Sequence, residues 1–139
     1  MGMTVWLNIR SGKKYESIDD DLSALFAQQE ALDVLAAKLG VTPLTTFFDD
    51  TDVRYNMDED GEFEESDDGW PANAATWHEA ASALHTAETL RAYLAANPNT
   101  LADCEGWSQQ HVIDDLETMV PGLKKAAAEN RSVHLLVVM

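Results

Sequence analysis

The chain has 139 residues, 45% of them apolar, a size and composition that suit one domain with a buried core. Twenty-five acids against nine lysines and arginines give a formal net charge of −16, which argues against a nucleic-acid ligand, since both surfaces would be negative. Cys104 is the single cysteine, so neither an intramolecular disulfide nor a multi-cysteine metal knot can form.

The N-terminus, Met1 to Trp6, lacks the basic flank and apolar run of a secretory signal, and no window approaches the roughly eighteen apolar residues of a membrane span. Gly2 raises myristoylation, but that pattern wants Ser or Thr where this chain has Trp6. The expectation is a cytoplasmic protein in a reducing compartment, without a membrane segment.

From Thr4 to Arg10 the residues alternate, with Val5, Leu7 and Ile9 on one side and Thr4, Trp6, Asn8 and Arg10 on the other, the period of a strand with one buried face. Trp6 is expected under a helix. Ser11 to Lys14 turns the chain, and a helix is predicted to open near Ser17 or Asp19 and run to Leu39. Asp19, Asp20 and Asp21 suit the positive end of its dipole, and Gly40 stands just past its last turn. Val41 to Phe48 predicts a short second helix with Thr42 as cap and Pro43 in its first position.

The stretch from Asp49 to Asp68 holds eleven acids, relieved by Arg54 alone. Apart from Val53, Tyr55, Met57 and Phe63 it offers little to bury, and it predicts an acidic, partly mobile loop over about 49–70, with a brief edge strand at 53–57. Beyond Gly69-Trp70-Pro71 a long helix is predicted from about Asn73 to Ala96, with Trp77, Ala80, Ala81, Leu84, Ala87, Leu90 and Leu94 on one face. Ser108 caps a last helical region that Pro121-Gly122 should kink or split. The tail, Val133 to Val138, reads as a strand covered on both faces. A strand at each end with helices between them predicts an α+β fold: a small sheet from the terminal strands, possibly joined by a third edge strand, against three to four helices, in a single domain spanning 1–139.

Within the acidic stretch, Asn56, Asp58, Asp60, Gly61, Glu62, Phe63, Glu64 and Asp67 fall at positions 1, 3, 5, 6, 7, 8, 9 and 12 of a twelve-residue loop. This resembles the calcium-binding loop of the EF-hand family, in which oxygen ligands alternate around a sharp glycine turn. The resemblance implies calcium as a ligand and Asn56, Asp58, Asp60, Glu62 and Asp67 as the metal-site residues. It departs from the pattern at Asn56, where an acid is usual, and at Asp67, where a longer Glu normally reaches the ion.

Enzyme chemistry finds little support. His78-Glu79 would need a second histidine at position 82 to face one metal on a helix, and Ser82 stands there. His85 lies two turns on, too far to share an ion with His78; His111 and His134 stand alone. Cys104, between Asp103 and Glu105, has the surroundings of an unreactive thiol. No phosphate-binding glycine pattern or nucleophile elbow occurs. Trp70 and Trp107, each beside a glycine, are lids on the core or exposed anchors.

The expectation is a non-enzymatic acidic binding protein that engages a basic protein surface through Asp58, Asp60, Glu62, Glu64 and Trp70, without a catalytic residue or resident cofactor. The analogy, of charge and size only, is with small acidic inhibitors and immunity proteins. The alternatives are a calcium-binding module at 56–67 and a loop that serves solubility alone.

Overall fold

A computed structural model describes residues 3–11, 14–18, 20–51 and 75–138. Strands β1 (Thr4–Ser11) and β2 (Lys14–Ile18) pair antiparallel, in register from Leu7 opposite Ile18 to Ser11 opposite Lys14. The last strand, β5 (Ser132–Val138), lies antiparallel to β1 with Val5 opposite Val137 and Asn8 opposite His134. Its other edge is shared by two short strands. β3 (Phe48–Asp49) pairs parallel to it at Leu135 and Leu136, and β4 (His78–Glu79) antiparallel at Val133 and Ser132.

Four helices pack against this mixed sheet, an α+β fold: α1 (Ser23–Ala27), α2 (Gln29–Leu39), α3 (Ala80–Ala96) and α4 (Gln109–Ala128). The alternation of β1 sends Val5, Leu7 and Ile9 to the helical side. There they meet Val133, Leu135 and Val137 of β5 and the buried Leu25, Leu90, Leu116 and Leu123. Each fully buried leucine of this kind contributes roughly 2 kcal/mol of transfer free energy. The opposite face carries Trp6, Tyr15, Leu136 and Val138, with Ala75 and Trp77 packed on them. Trp6 therefore lies among strand residues and Trp77 rather than under a helix, and its indole Nε1 donates to Asp21 at 2.7 Å.

Several predicted boundaries move, each for a tertiary reason. Lys14 to Ile18, expected to turn and then open a helix, extends as the edge strand of a hairpin. The helix behind it breaks at Gln28, whose buried amide donates from Nε2 to the carbonyls of Ala102 (2.7 Å) and Trp107 (3.1 Å) and so anchors a distant connector. Gly40 closes α2 in the left-handed conformation, φ 73°, as expected. The second helix reduces to a 3-10 turn at Leu44–Phe47, preceded by Pro43 and without a side-chain cap from Thr42. The long helix begins at Ala80 rather than Asn73 because His78 and Glu79 extend along β5.

Ser108 caps α4 as expected, its Oγ accepting the His111 N–H while His111 Nδ1 accepts the Ser108 N–H at 3.0 Å. The helix is not split at Pro121-Gly122, and α4 runs through both. One missing hydrogen bond is outweighed by packing on either side, with Met119 and Leu123 buried. Gly122 has a role in that packing: a Cβ there would come within 2.7 Å of Ile18 Cδ1 and 3.1 Å of Leu7 Cδ2. The bare backbone lets the helix approach the β1–β2 hairpin. No helix among the described residues is long and apolar enough to cross a membrane.

Candidate functional site

Two places bring polar chemistry together. The first lies between β1, β5 and the backbone on either side of the acidic segment. Asn8 and His134 are opposite one another across β1 and β5, both wholly buried, with Asn8 Nδ2 3.0 Å from His134 Nε2. His134 Nδ1 is 3.1 Å from the Thr76 carbonyl. A carbonyl can only accept, so Nδ1 carries the proton and Nε2 accepts from Asn8. The remaining amide oxygen of Asn8 accepts from Ser17 Oγ in a short contact. The chain of bonds continues through Thr76, whose N–H donates to Asp49 Oδ1 at 3.0 Å, and Asp49 Oδ2 accepts the Thr51 N–H at 3.0 Å. Trp77 lies flat on the imidazole, ring centroids 3.9 Å apart and planes 17° apart, with the Arg10 guanidinium 5.5 Å from the indole.

Burial holds the His134 pKa below its ordinary value; the Asp49 charge and the Thr76 carbonyl oppose that shift, and His78 adds to it. Ser17 bonds to Asn8 rather than to the imidazole, so no serine nucleophile is activated here. The arrangement fixes His134 between two elements and holds Thr51 and Thr76 together at one sheet edge through Asp49.

The second place is a groove of about 560 Å³ between the start of β1, α1 and the α3–α4 connector, lined by Met3, Asp21, Phe26, Ala27, Glu105 and Trp107 among others. The connector turns tightly at Cys104-Glu105-Gly106-Trp107, where Cys104 and Trp107 exchange backbone hydrogen bonds of 3.0 and 2.8 Å. Glu105 (φ 52°) and Gly106 (φ 86°) both adopt positive φ, the pairing a type I′ turn requires. Gly106 takes this conformation freely and Glu105 does not. Cys104 Sγ donates to the Ala27 carbonyl at 3.4 Å, and Asp115 Oδ2 accepts the N–H groups of Ala24 and Leu25 at 3.0 and 3.2 Å. Asp115 thereby caps α1 from a neighbouring helix. Its pKa is raised, chiefly by burial, against the pull of those two hydrogen bonds.

Glu105, which lines this groove, and Asp20 and Asp103 are exposed, and the ion pairs Arg91–Glu117 and Arg131–Glu129 among the described residues do not involve them. Lys124 and Lys125 stand about 25 Å along α4 from Ser108 by helix rise, well beyond the screening length of physiological salt.

The residues expected to bind a partner or a cation, Asn56, Asp58, Asp60, Glu62, Glu64, Asp67 and Trp70, lie outside the described residues, as does the edge strand expected at 53–57. Of the histidines, His78 packs edge-on against Phe47, exposed His85 is one turn into α3, His111 belongs to a helix cap and His134 to the buried chain. No three His, Cys, Asp or Glu side chains converge as a metal site among the described residues. Sequence reasoning passed over Asp21, Phe26 and Glu105. Glu105 and Gly106 make the turn of the connector, and nothing local in the sequence links that turn to α1. No family model, curated protein or solved structure matches this chain.

Proposed function

We propose that this chain is a non-enzymatic acidic binding protein that engages a basic protein surface. The observation that carries the reading is the net negative charge: a formal −16 over 139 residues, with eleven acids between Asp49 and Asp68 and with Asp20, Asp21, Asp103 and Glu105 exposed on the body. Such a field accelerates encounter with a positive surface and repels negative ones. The described residues on either side of the segment richest in acid, Thr51 and Thr76, both donate backbone N–H groups to Asp49. The expected contacts in that segment are Asp58, Asp60, Glu62, Glu64 and Trp70.

Affinity purification from the native host at 0.15 M salt, followed by titration of the purified partner, tests the reading. The expected result is a partner with an isoelectric point above about 9 whose affinity falls as salt rises. A neutral or acidic partner overturns it. A parallel calcium titration followed by melting temperature addresses the loop from Asn56 to Asp67; a calcium-binding module gains stability at millimolar ion.

A further inference from the structure

We infer that the groove beside Trp107 is the docking site for an arginine side chain presented by the basic partner, an inference that rests on the binding-protein reading above. Among the described residues three large hydrophobic side chains are exposed, Met3, Val34 and Trp107, and two of the three line this one groove. Scattered apolar residues on a surface are ordinary; these two, far apart in sequence, line one concavity. The groove volume, about 560 Å³, is in the range of sites that take a small ligand or a short segment.

The lining selects the occupant. Two carboxylates, Asp21 and Glu105, line the groove together with Trp107, Phe26, Ala27 and Met3. An anionic or purely apolar occupant would leave these carboxylates repelled or desolvated. A cation with an apolar stem satisfies both: its methylenes lie on Phe26 and Ala27, and its head meets the acids. Arginine fits better than lysine, because its planar guanidinium stacks on an indole face and bonds a carboxylate through two parallel N–H groups.

The groove is also built to hold its shape. Gln28 fixes the connector from the α1–α2 break, Cys104 is tied to Ala27, Asp115 caps α1, and Ser23 Oγ donates to Thr4 Oγ1 at 3.0 Å. Trp107 is further supported edge-on by His111, ring centroids 5.3 Å apart. An aromatic anchor on a fixed base loses less side-chain entropy on binding than a loose one.

The test uses two capped peptides at 0.15 M salt, one with two arginines in a Gly/Ser background and the other with citrulline at those positions, followed by amide chemical shifts. The arginine peptide should move the Ser23, Ala27 and Glu105 amides and the Trp107 indole, and the citrulline peptide should not. Glu105→Gln and Trp107→Ala should each weaken binding at least tenfold, while Glu88→Gln on the exposed side of α3 leaves it unchanged. Urea denaturation of each variant separates lost binding from lost folding. If wild type binds the arginine peptide and the Glu105 and Trp107 variants bind equally well, the groove inference fails and the binding-protein reading stands. Shifts confined to other surfaces, equal binding of the citrulline peptide, or no binding of the arginine peptide by wild type overturn it in the same way, and the binding-protein reading is then judged by its own partner titration.

Discussion

The Asp49 carboxylate receives the backbone N–H of Thr76 across 27 residues of sequence, at 3.0 Å, while its second oxygen receives that of Thr51 at the same distance. One buried side chain thus bridges Thr51 and Thr76, beside the edge of β5 where β3 and β4 pair. Asn at this position could accept only one of the two bonds and would aim its NH₂ at the other donor. Asp49→Asn should therefore cost about 2–3 kcal/mol in urea unfolding. Hydrogen exchange should show the Thr51 and Thr76 amides losing protection ahead of those in α4.

His134 makes stability depend on pH. Its native pKa is depressed below the unfolded value, near 6.5, mainly by burial. Between those two values the unfolded chain binds more protons, so stability rises with pH there and is fully present above about 6.5. Acidification should reduce it as pH falls from about 6.5 through the native pKa. The groups facing the ring are Asp49, His78 and the Thr76 carbonyl, with Arg10 behind Trp77. His134→Gln should remove this part of the slope, and nitrogen shifts of the wild-type imidazole should report a proton on Nδ1 at pH 7. A proton on Nε2 would contradict the bond directions assigned through Asn8.

Asp115 gives the opposite sign. Its pKa is raised from 3.8, so the stability linked to its titration is present below that value and declines as pH rises through the native pKa. Both capped N–H groups converge on the single oxygen Oδ2, which the amide oxygen of Asn can replace without burying charge. Asp115→Asn should thus stay within about 0.5 kcal/mol of wild type at pH 7, whereas Asp115→Ala should lose about 1–2 kcal/mol with the cap. Thermal unfolding of the two variants distinguishes the cap from the charge.

Glu105 holds a left-handed backbone, φ 52°, that costs a non-glycine residue about 1–2 kcal/mol. Glu105→Gly or Glu105→Asn should raise stability by up to about 1 kcal/mol, the glycine offset in part by a more flexible unfolded chain. The same variants should lose arginine-peptide binding. Stability and binding moving in opposite directions would mark strain retained at a working position.

Where the sequence was legible, one residue pattern answered to one partner. The alternation in β1, the apolar run of β5 and the glycine after α2 all mean what they suggest locally. Lys14 to Ile18 was not legible, because a short edge strand with one apolar residue on each face has too weak a period to compete with the helix signal behind it. Trp77 was misplaced because its spacing to Ala80, Ala81 and Leu84 fits a helix by coincidence, while the backbone from His78 to Glu79 pairs with β5. Pro121 does not split α4, since its cost is local and the core around Met119 and Leu123 is not. The groove was least legible. Asp21 and Phe26 meet Glu105 and Trp107 only because Gln28 and Cys104 dock the connector on α1, and no local pattern announces a contact across some eighty residues.

The central claim is that concentrated negative charge on this chain serves to meet positive charge on another protein. Its most direct test is the salt dependence of affinity for the purified partner, wild type against the triple variant Asp58→Asn, Asp60→Asn, Glu62→Gln. Affinity should fall steeply from 0.05 to 0.3 M salt for wild type and more shallowly for the triple variant, with slower association. An affinity indifferent to salt and unchanged by the three substitutions would contradict the claim.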